Sequence, residues 1–139
     1  MKSAAWVVDC SAWVAFYLRE ERAESVDAII SMQISGSIQI HAPALLAYEL
    51  HNSLLVAVRR GRCTAANRDE YLHGLAAIPV IKLEQPDWSS LSHASVLAQK
   101  HSLTHYDATY LELAERLGAK LKTFDKALLA LKDTYPWID

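Results

Sequence analysis

Trp6-Val7-Val8-Asp9-Cys10-Ser11 decides how this chain is read. It opens as a short, uncharged apolar run with two β-branched residues and no alternation. A strand buried on both faces of a sheet reads this way. The run then stops on a carboxylate followed by a hydroxyl. In open α/β sheets, ligands sit outside the carboxyl ends of the strands. A buried strand ending in Asp9 therefore carries a charge to the edge where chemistry is done. Asp and Ser are also good helix N-caps, so on this stretch alone the cap and ligand roles stand level.

Outward from this strand, residues 12–18 carry Trp13, Val14, Phe16, Tyr17 and Leu18 and read as a largely buried helix. Arg19-Glu20-Glu21-Arg22 is a solvated turn. Val26, Ile29, Ile30 and Ile34 stand at helical spacing and predict an amphipathic helix over 23–34. Ser37-Ile38-Gln39-Ile40-His41 alternates as a strand does, and Pro43 ends it. A long helix over 44–60 follows, with Leu46, Leu50, Leu54 and Val58 as its core stripe. Gly61 stops it, and Arg59 and Arg60 suit its negative end.

Thr64 caps a further helix to about residue 77, with Tyr71, Leu72 and Leu75 inward and Pro79 as its stop. Val80-Ile81-Lys82-Leu83 is a strand, and Asp87 caps a helix over 88–101. A short connection leads to a helix over 108–117 that ends at Gly118. Leu121-Lys122-Thr123-Phe124 is a strand ending in Asp125, residues 126–131 start another helix, and Tyr135-Pro136-Trp137-Ile138 is a short edge strand. Strands alternating with helices imply crossover connections and a mainly parallel sheet. The expected fold is α/β: one domain over 1–139, three-layer α/β/α, with a central sheet of four to five strands.

Composition narrows the function. At 139 residues and 52% hydrophobic, the chain can bury a real core. Its net charge of −2 gives no bulk attraction for nucleic acid, so a polyanion would need a local patch or a metal. Cys10 and Cys63 show no paired spacing and suit reduced thiols in a cytoplasmic protein. The first residues are too weakly apolar for a signal peptide, and no apolar run approaches the roughly 18 residues of a membrane span.

Most of the 16 acids sit in charged turns or on polar helix faces. Four do not. Asp9 and Asp125 each end a hydrophobic strand. Asp107 stands at the head of a helix among Tyr106, Ala108 and Tyr110, and Glu49 lies one residue from the apolar stripe of the long helix. A parallel sheet brings strand ends and following helix starts to one edge. Carboxylates gathered there and partly desolvated repel one another and have raised pKa values unless a cation joins them. An all-oxygen acidic set suits Mg²⁺ or Mn²⁺, ions that serve phosphodiester hydrolysis.

These segments then resemble, in order, the acidic motifs of the PIN-domain nucleases. Val7-Val8-Asp9-Cys10-Ser11-Ala12 resembles the opening strand and turn. The stretch from Ala42-Pro43 through Tyr48-Glu49-Leu50-His51-Asn52 resembles the second motif, Tyr106-Asp107-Ala108-Thr109-Tyr110 the third, and Lys122-Thr123-Phe124-Asp125-Lys126 the fourth. The resemblance spans nearly the whole chain. It implies a Mg²⁺-dependent endoribonuclease of the compact VapC type, the toxin of a type II toxin–antitoxin pair. It implies Asp9, Glu49, Asp107 and Asp125 as the acidic site, with Asp9 and Asp107 as principal metal ligands. Ser11, Asn52 and Thr123 become supporting residues. An RNA substrate, a cognate antitoxin and a homodimer are its implied partners. Cys10 departs from the small Ala or Thr expected there, and Asp133 is a poor match for the extra acid some members carry.

Other features are weaker. Arg59-Arg60-Gly61-Arg62 is the densest basic cluster and a candidate RNA-backbone contact. His101 and His105 stand four apart, but the intervening Ser102-Leu103-Thr104 reads as a break, against a zinc pair. No nucleophile elbow or phosphate-binding glycine loop is present. The alternatives are a receiver-like signalling or binding domain and a PIN nuclease of RNA processing. A receiver wants a second acid beside Asp9, where Cys10 stands.

Overall fold

The computed structural model describes residues 3–77 and 81–139. In chain order it runs β1 (Ala4–Val8), α1 (Cys10–Tyr17), a single 3₁₀ turn (Glu21–Ala23), α2 (Glu24–Ile34), β2 (Ile38–Pro43), α3 (Leu45–Arg59) and α4 (Ala65–Ala77). Then come β3 (Ile81–Glu84), α5 (Trp88–His101), α6 (His105–Leu117), β4 (Lys120–Lys122) and α7 (Lys126–Leu129). Pro79 and Val80, read as a helix stop and the start of a strand, lie outside the described residues.

The strands form one sheet in the order β3-β2-β1-β4, and every pairing is parallel. The chain steps from β1 through β2 to β3 and then returns past β1 to β4. Right-handed crossovers place α1 to α4 on one face and α5 and α6 on the other. This is the expected three-layer arrangement, with four strands. β1 is flanked on both sides, which explains its uncharged run: Val7 and Val8 are fully buried. No helix among the described residues is long and apolar enough to cross a membrane.

The helical stripes pack largely as spaced. Leu46, Leu50 and Leu54 are buried on α3, with Ala57 in place of the half-buried Val58 as the next core residue. Trp13 stacks on Tyr17, which stacks on Tyr71 of α4 at 5.0 Å, tying α1 to α4. The spacing on α2 overreaches at its end. Val26 and Ile29 are buried, but Ile34 is 74% exposed, because it is the last residue before the turn at Ser35-Gly36.

Three boundaries depart from expectation. α6 begins at His105, three residues early, because the Thr104 hydroxyl accepts from the Asp107 amide and caps it. Ser102 turns left-handed at the end of α5, so His101 and His105 sit on different helices. His101 bonds Tyr135 and His105 the Leu91 carbonyl, which leaves no zinc pair. β4 stops at Lys122, because the next two residues bond sideways to the turn after β1. The expected last strand reduces to one parallel bridge, Leu121 to Ile138. Backbone bonds from Leu121 to Trp137, Asp139 to Leu121 and Thr123 to Asp139 still cover the β4 edge.

α6 is buried nearly all round. Its buried Glu112 is held bidentately by Arg116, at 2.8 and 3.4 Å, which supplies the partner a desolvated carboxylate needs. The helix carrying Asp107 and Tyr110 is thus firmly seated.

Candidate active site

Four parallel strands deliver their carboxyl ends to one edge, and an open cleft of ≈ 370 Å³ lies there. Asp9, Glu49, Asp107 and Asp125 all line it, with Ser11, Ser53 and Tyr110 between them. Asp9 follows β1 and Asp125 follows its neighbour β4. Glu49 comes from α3, after β2, and Asp107 from the first turn of α6.

Asp9 is the deepest, at 4% exposure. Its Oδ1 accepts from the Ser11 hydroxyl at 2.6 Å and the Ala12 amide at 3.1 Å, so it caps α1 and belongs to the cleft at once. Its Oδ2 accepts from the Thr123 hydroxyl. Of the roughly four lone-pair directions of a carboxylate, three are taken, and one on Oδ2 remains. Desolvation pushes the Asp9 carboxyl up to about 6; the bonds from Ser11, Thr123 and Ala12 oppose this, and the charge of Asp125 adds to it.

Two hydroxyls sew the turn after β1 to the turn after β4. Ser11 donates to Asp9 and accepts from the Phe124 amide at 2.9 Å. Thr123 donates to Asp9 and accepts from the Asp125 amide at 2.9 Å. Asp125 in turn caps α7 through Oδ1, accepting from the Ala127 and Leu128 amides.

Glu49 accepts from the Tyr110 hydroxyl at 2.6 Å. Burial raises its carboxyl above the usual range, the Tyr110 bond opposes this, and Asp107 adds to it. Asp107 is raised by burial first and by Asp125 second, while Thr104 opposes. The acids thus repel in a chain from Glu49 through Asp107 and Asp125 to Asp9. Cys10 lines the same cleft with its thiol 3.5 Å from the Ser53 hydroxyl. Burial pushes that thiol up to about 11, so it stays protonated and adds no further negative charge.

The other sequence candidates divide. Thr123 is buried and bonded to Asp9. Asn52 is exposed and does not line the cleft, whereas its neighbour Ser53 does. Arg62 lines the cleft; Arg59 and Arg60 lie exposed outside it, as does Asp133. Ser53, Tyr110, Glu20 and Arg22 were missed. Helical spacing could have found two of them, since Ser53 is four residues past Glu49 and Tyr110 three past Asp107.

The donor set is all-oxygen, acidic and mutually repelling, which suits a hard divalent cation. Among the described residues no three His, Cys, Asp or Glu side chains converge as a ready coordination sphere. An ion that keeps several of its waters suits acids spread along a cleft in this way.

This chain belongs to the PIN-domain family, whose model matches residues 6–133. It is similar to ribonuclease VapC3 of Pyrobaculum aerophilum, 36% identical over 122 residues that cover 88% of this chain and 90% of the relative. Ribonuclease VapC3 of Mycobacterium tuberculosis is 34% identical over 123 residues, covering 88% and 83%. A solved structure from Pyrobaculum aerophilum matches the fold with a TM-score of 0.68 at 26% identity, over 91% of this chain and 78% of that one. The Mycobacterium tuberculosis toxin VapC20, described as cleaving the sarcin-ricin loop, matches with a TM-score of 0.65 at 17% identity, over 87% and 90%. The receiver-like alternative falls with this family membership.

Proposed function

We propose that this protein is a Mg²⁺- or Mn²⁺-dependent endoribonuclease and the toxin of a type II toxin–antitoxin pair. The observation that carries the reading is the cleft. Carboxylates from four separate elements line it, and burial holds Asp9, Glu49 and Asp107 above their usual pKa range. The names of the relatives supply RNA as the substrate. In the same reading the protein is cytoplasmic, forms a homodimer, and is silenced by a small cognate antitoxin.

A bound divalent ion would supply charge neutralisation and an activated water for in-line attack at phosphorus. Asp9 and Asp107 would be its principal holders. Ser11 and Thr123 fix the Asp9 carboxylate, and Tyr110 fixes Glu49. Asp125 caps α7 through Oδ1, and its Oδ2 carries no bond among the described residues.

The test is cleavage of a structured RNA by purified protein. Products are expected with Mg²⁺, none with chelator, and none from Asp107→Asn. Equal slow degradation by wild type and Asp107→Asn overturns the nuclease. Expression of the wild type alone should arrest growth while Asp107→Asn does not. Unimpaired growth with both overturns the toxin role and favours RNA processing.

Tyr110→Phe tests the arrangement more finely. It removes the hydroxyl that stabilises ionised Glu49, a charge-assisted bond of about 1.5–3 kcal/mol. The Glu49 carboxyl should rise further, so the acidic limb of the pH–rate profile moves to higher pH. Cleavage near neutrality should fall about tenfold. An unmoved profile means Glu49 does not act in its ionised form.

A further inference from the structure

We propose that Arg22 and Arg62, held together by Glu20, form a phosphate clamp at the mouth of the acidic cleft and position the RNA backbone against the four acids. The clamp rests on the ribonuclease reading.

All three residues line the cleft. Glu20 bridges the two cations: its Oε1 accepts from Arg22 Nε at 3.1 Å, and its Oε2 lies 3.6 Å from Arg62 Nη2. Arg22 also lies over the Phe124 ring, with Cζ 4.6 Å from the centroid. The Phe124 amide donates to Ser11, and Ser11 donates to Asp9. A residue of the turn between α1 and α2 is thereby set in register with the deepest acid of the site.

Stability does not explain the pairing. The arginine side chains are 51% and 50% exposed and Glu20 is 26% exposed, and ion pairs so open to water contribute little. Bringing two guanidiniums to one carboxylate also sets like charges side by side. Ligand chemistry does explain it. A phosphodiester entering a cleft walled by carboxylates is repelled unless cations meet it, and a planar guanidinium fork matches phosphate oxygens. Of five donors on each guanidinium, Glu20 engages one on Arg22, its Nε, and faces Arg62 through Nη2. Both Nη groups of Arg22 carry no bond among the described residues. Glu20 thus holds the two arginines together at the cleft and leaves most of their donors without a bond among the described residues. Arg59 and Arg60 form the denser cluster in sequence but lie outside the cleft.

The experiment measures binding of full-length protein to a structured RNA hairpin in chelator, by fluorescence anisotropy across a KCl series, and cleavage kinetics with Mg²⁺. Arg22→Ala and Arg62→Ala should each weaken binding about 5- to 10-fold at low salt. Each should flatten the slope of log affinity against log salt by about 0.7–0.9, the loss of one phosphate contact. KM should rise while kcat changes little, and the melting temperature should hold. Arg22→Lys should restore the slope without the full affinity. If the wild type binds and cuts RNA and both alanine variants keep its slope and KM, the clamp alone is overturned. A wild type that neither binds nor cuts RNA overturns the ribonuclease reading and the clamp with it.

Discussion

Asp9→Asn should abolish cleavage and stabilise the protein at the same time. Loss of a buried carboxylate from the centre of the acidic set should lower the rate by about 10²- to 10³-fold or more. The stability gain follows from burial. In the folded chain burial pushes the Asp9 carboxyl up to about 6 from its ordinary 3.8, so the charged form opposes folding by about 3 kcal/mol. Below pH 4 the carboxyl is protonated in both states and costs nothing. Between pH 4 and 6 the unfolded chain ionises first, and the penalty grows. Above pH 6 it is fully present. Asparagine caps a helix as well as aspartate does, so α1 keeps its start. The amide nitrogen that replaces Oδ2 cannot accept from the buried Thr123 hydroxyl, at about 1–3 kcal/mol, which offsets part of the gain; the variant should therefore melt a few degrees above the wild type at pH 7.5 and a few degrees below it at pH 4. Mg²⁺ at pH 7.5 should narrow the gap by binding only the folded wild type. Calorimetry at the two pH values, with and without Mg²⁺, checks this. A variant melting at or below the wild type at pH 7.5 contradicts the desolvated carboxylate, and unchanged cleavage removes Asp9 from the reaction.

The same residue shows how much the sequence could tell. Its strand was legible because burial on both faces forbids charge and alternation, and the parallel sheet then fixed which edge would hold Asp9, Glu49 and Asp125. The cap is present, and it does not use up the carboxylate, since Ala12, Ser11 and Thr123 take three of its roughly four lone-pair directions. What stayed hidden depends on where a helix starts and how it is rotated. The Thr104 cap moved the start of α6 and put Asp107 inside its first turn, not at its head. The rotation of α3 turned Ser53 to the cleft and Asn52 to solvent, a choice that a one-residue step decides and no local pattern marks. Arg22 had no signal at all: a basic residue in a charged turn reads as solvated until the fold sets it over Phe124 and beside Glu20. Ile34 erred the other way, because apolar spacing continued to the last residue of α2, where the chain turns away at Ser35-Gly36.

That last contrast fixes the largest expected loss of stability. Leu54 and Ile34 look equivalent in sequence, each an apolar residue at helical spacing, yet Leu54 is fully buried and Ile34 is 74% exposed. Leu54→Ala should cost about 3 kcal/mol, the transfer energy of the removed methyl groups plus a cavity that close-packed neighbours cannot fill. Ile34→Ala should cost at most about 0.5 kcal/mol. Urea denaturation followed by circular dichroism gives both values, with the denaturant slope unchanged so that midpoints report stability directly. α3 also presents Glu49 and Ser53 to the cleft from the flank of the stripe that Leu54 belongs to. At temperatures where Leu54→Ala remains folded, its cleavage rate should stay near that of the wild type, because Leu46 and Leu50 still seat the turn that carries Glu49. Equal midpoints for the two variants would mean that α3 is not packed on the sheet as described. A folded Leu54→Ala variant that has lost cleavage would mean that seating Glu49 depends on the whole stripe and not on its first two members.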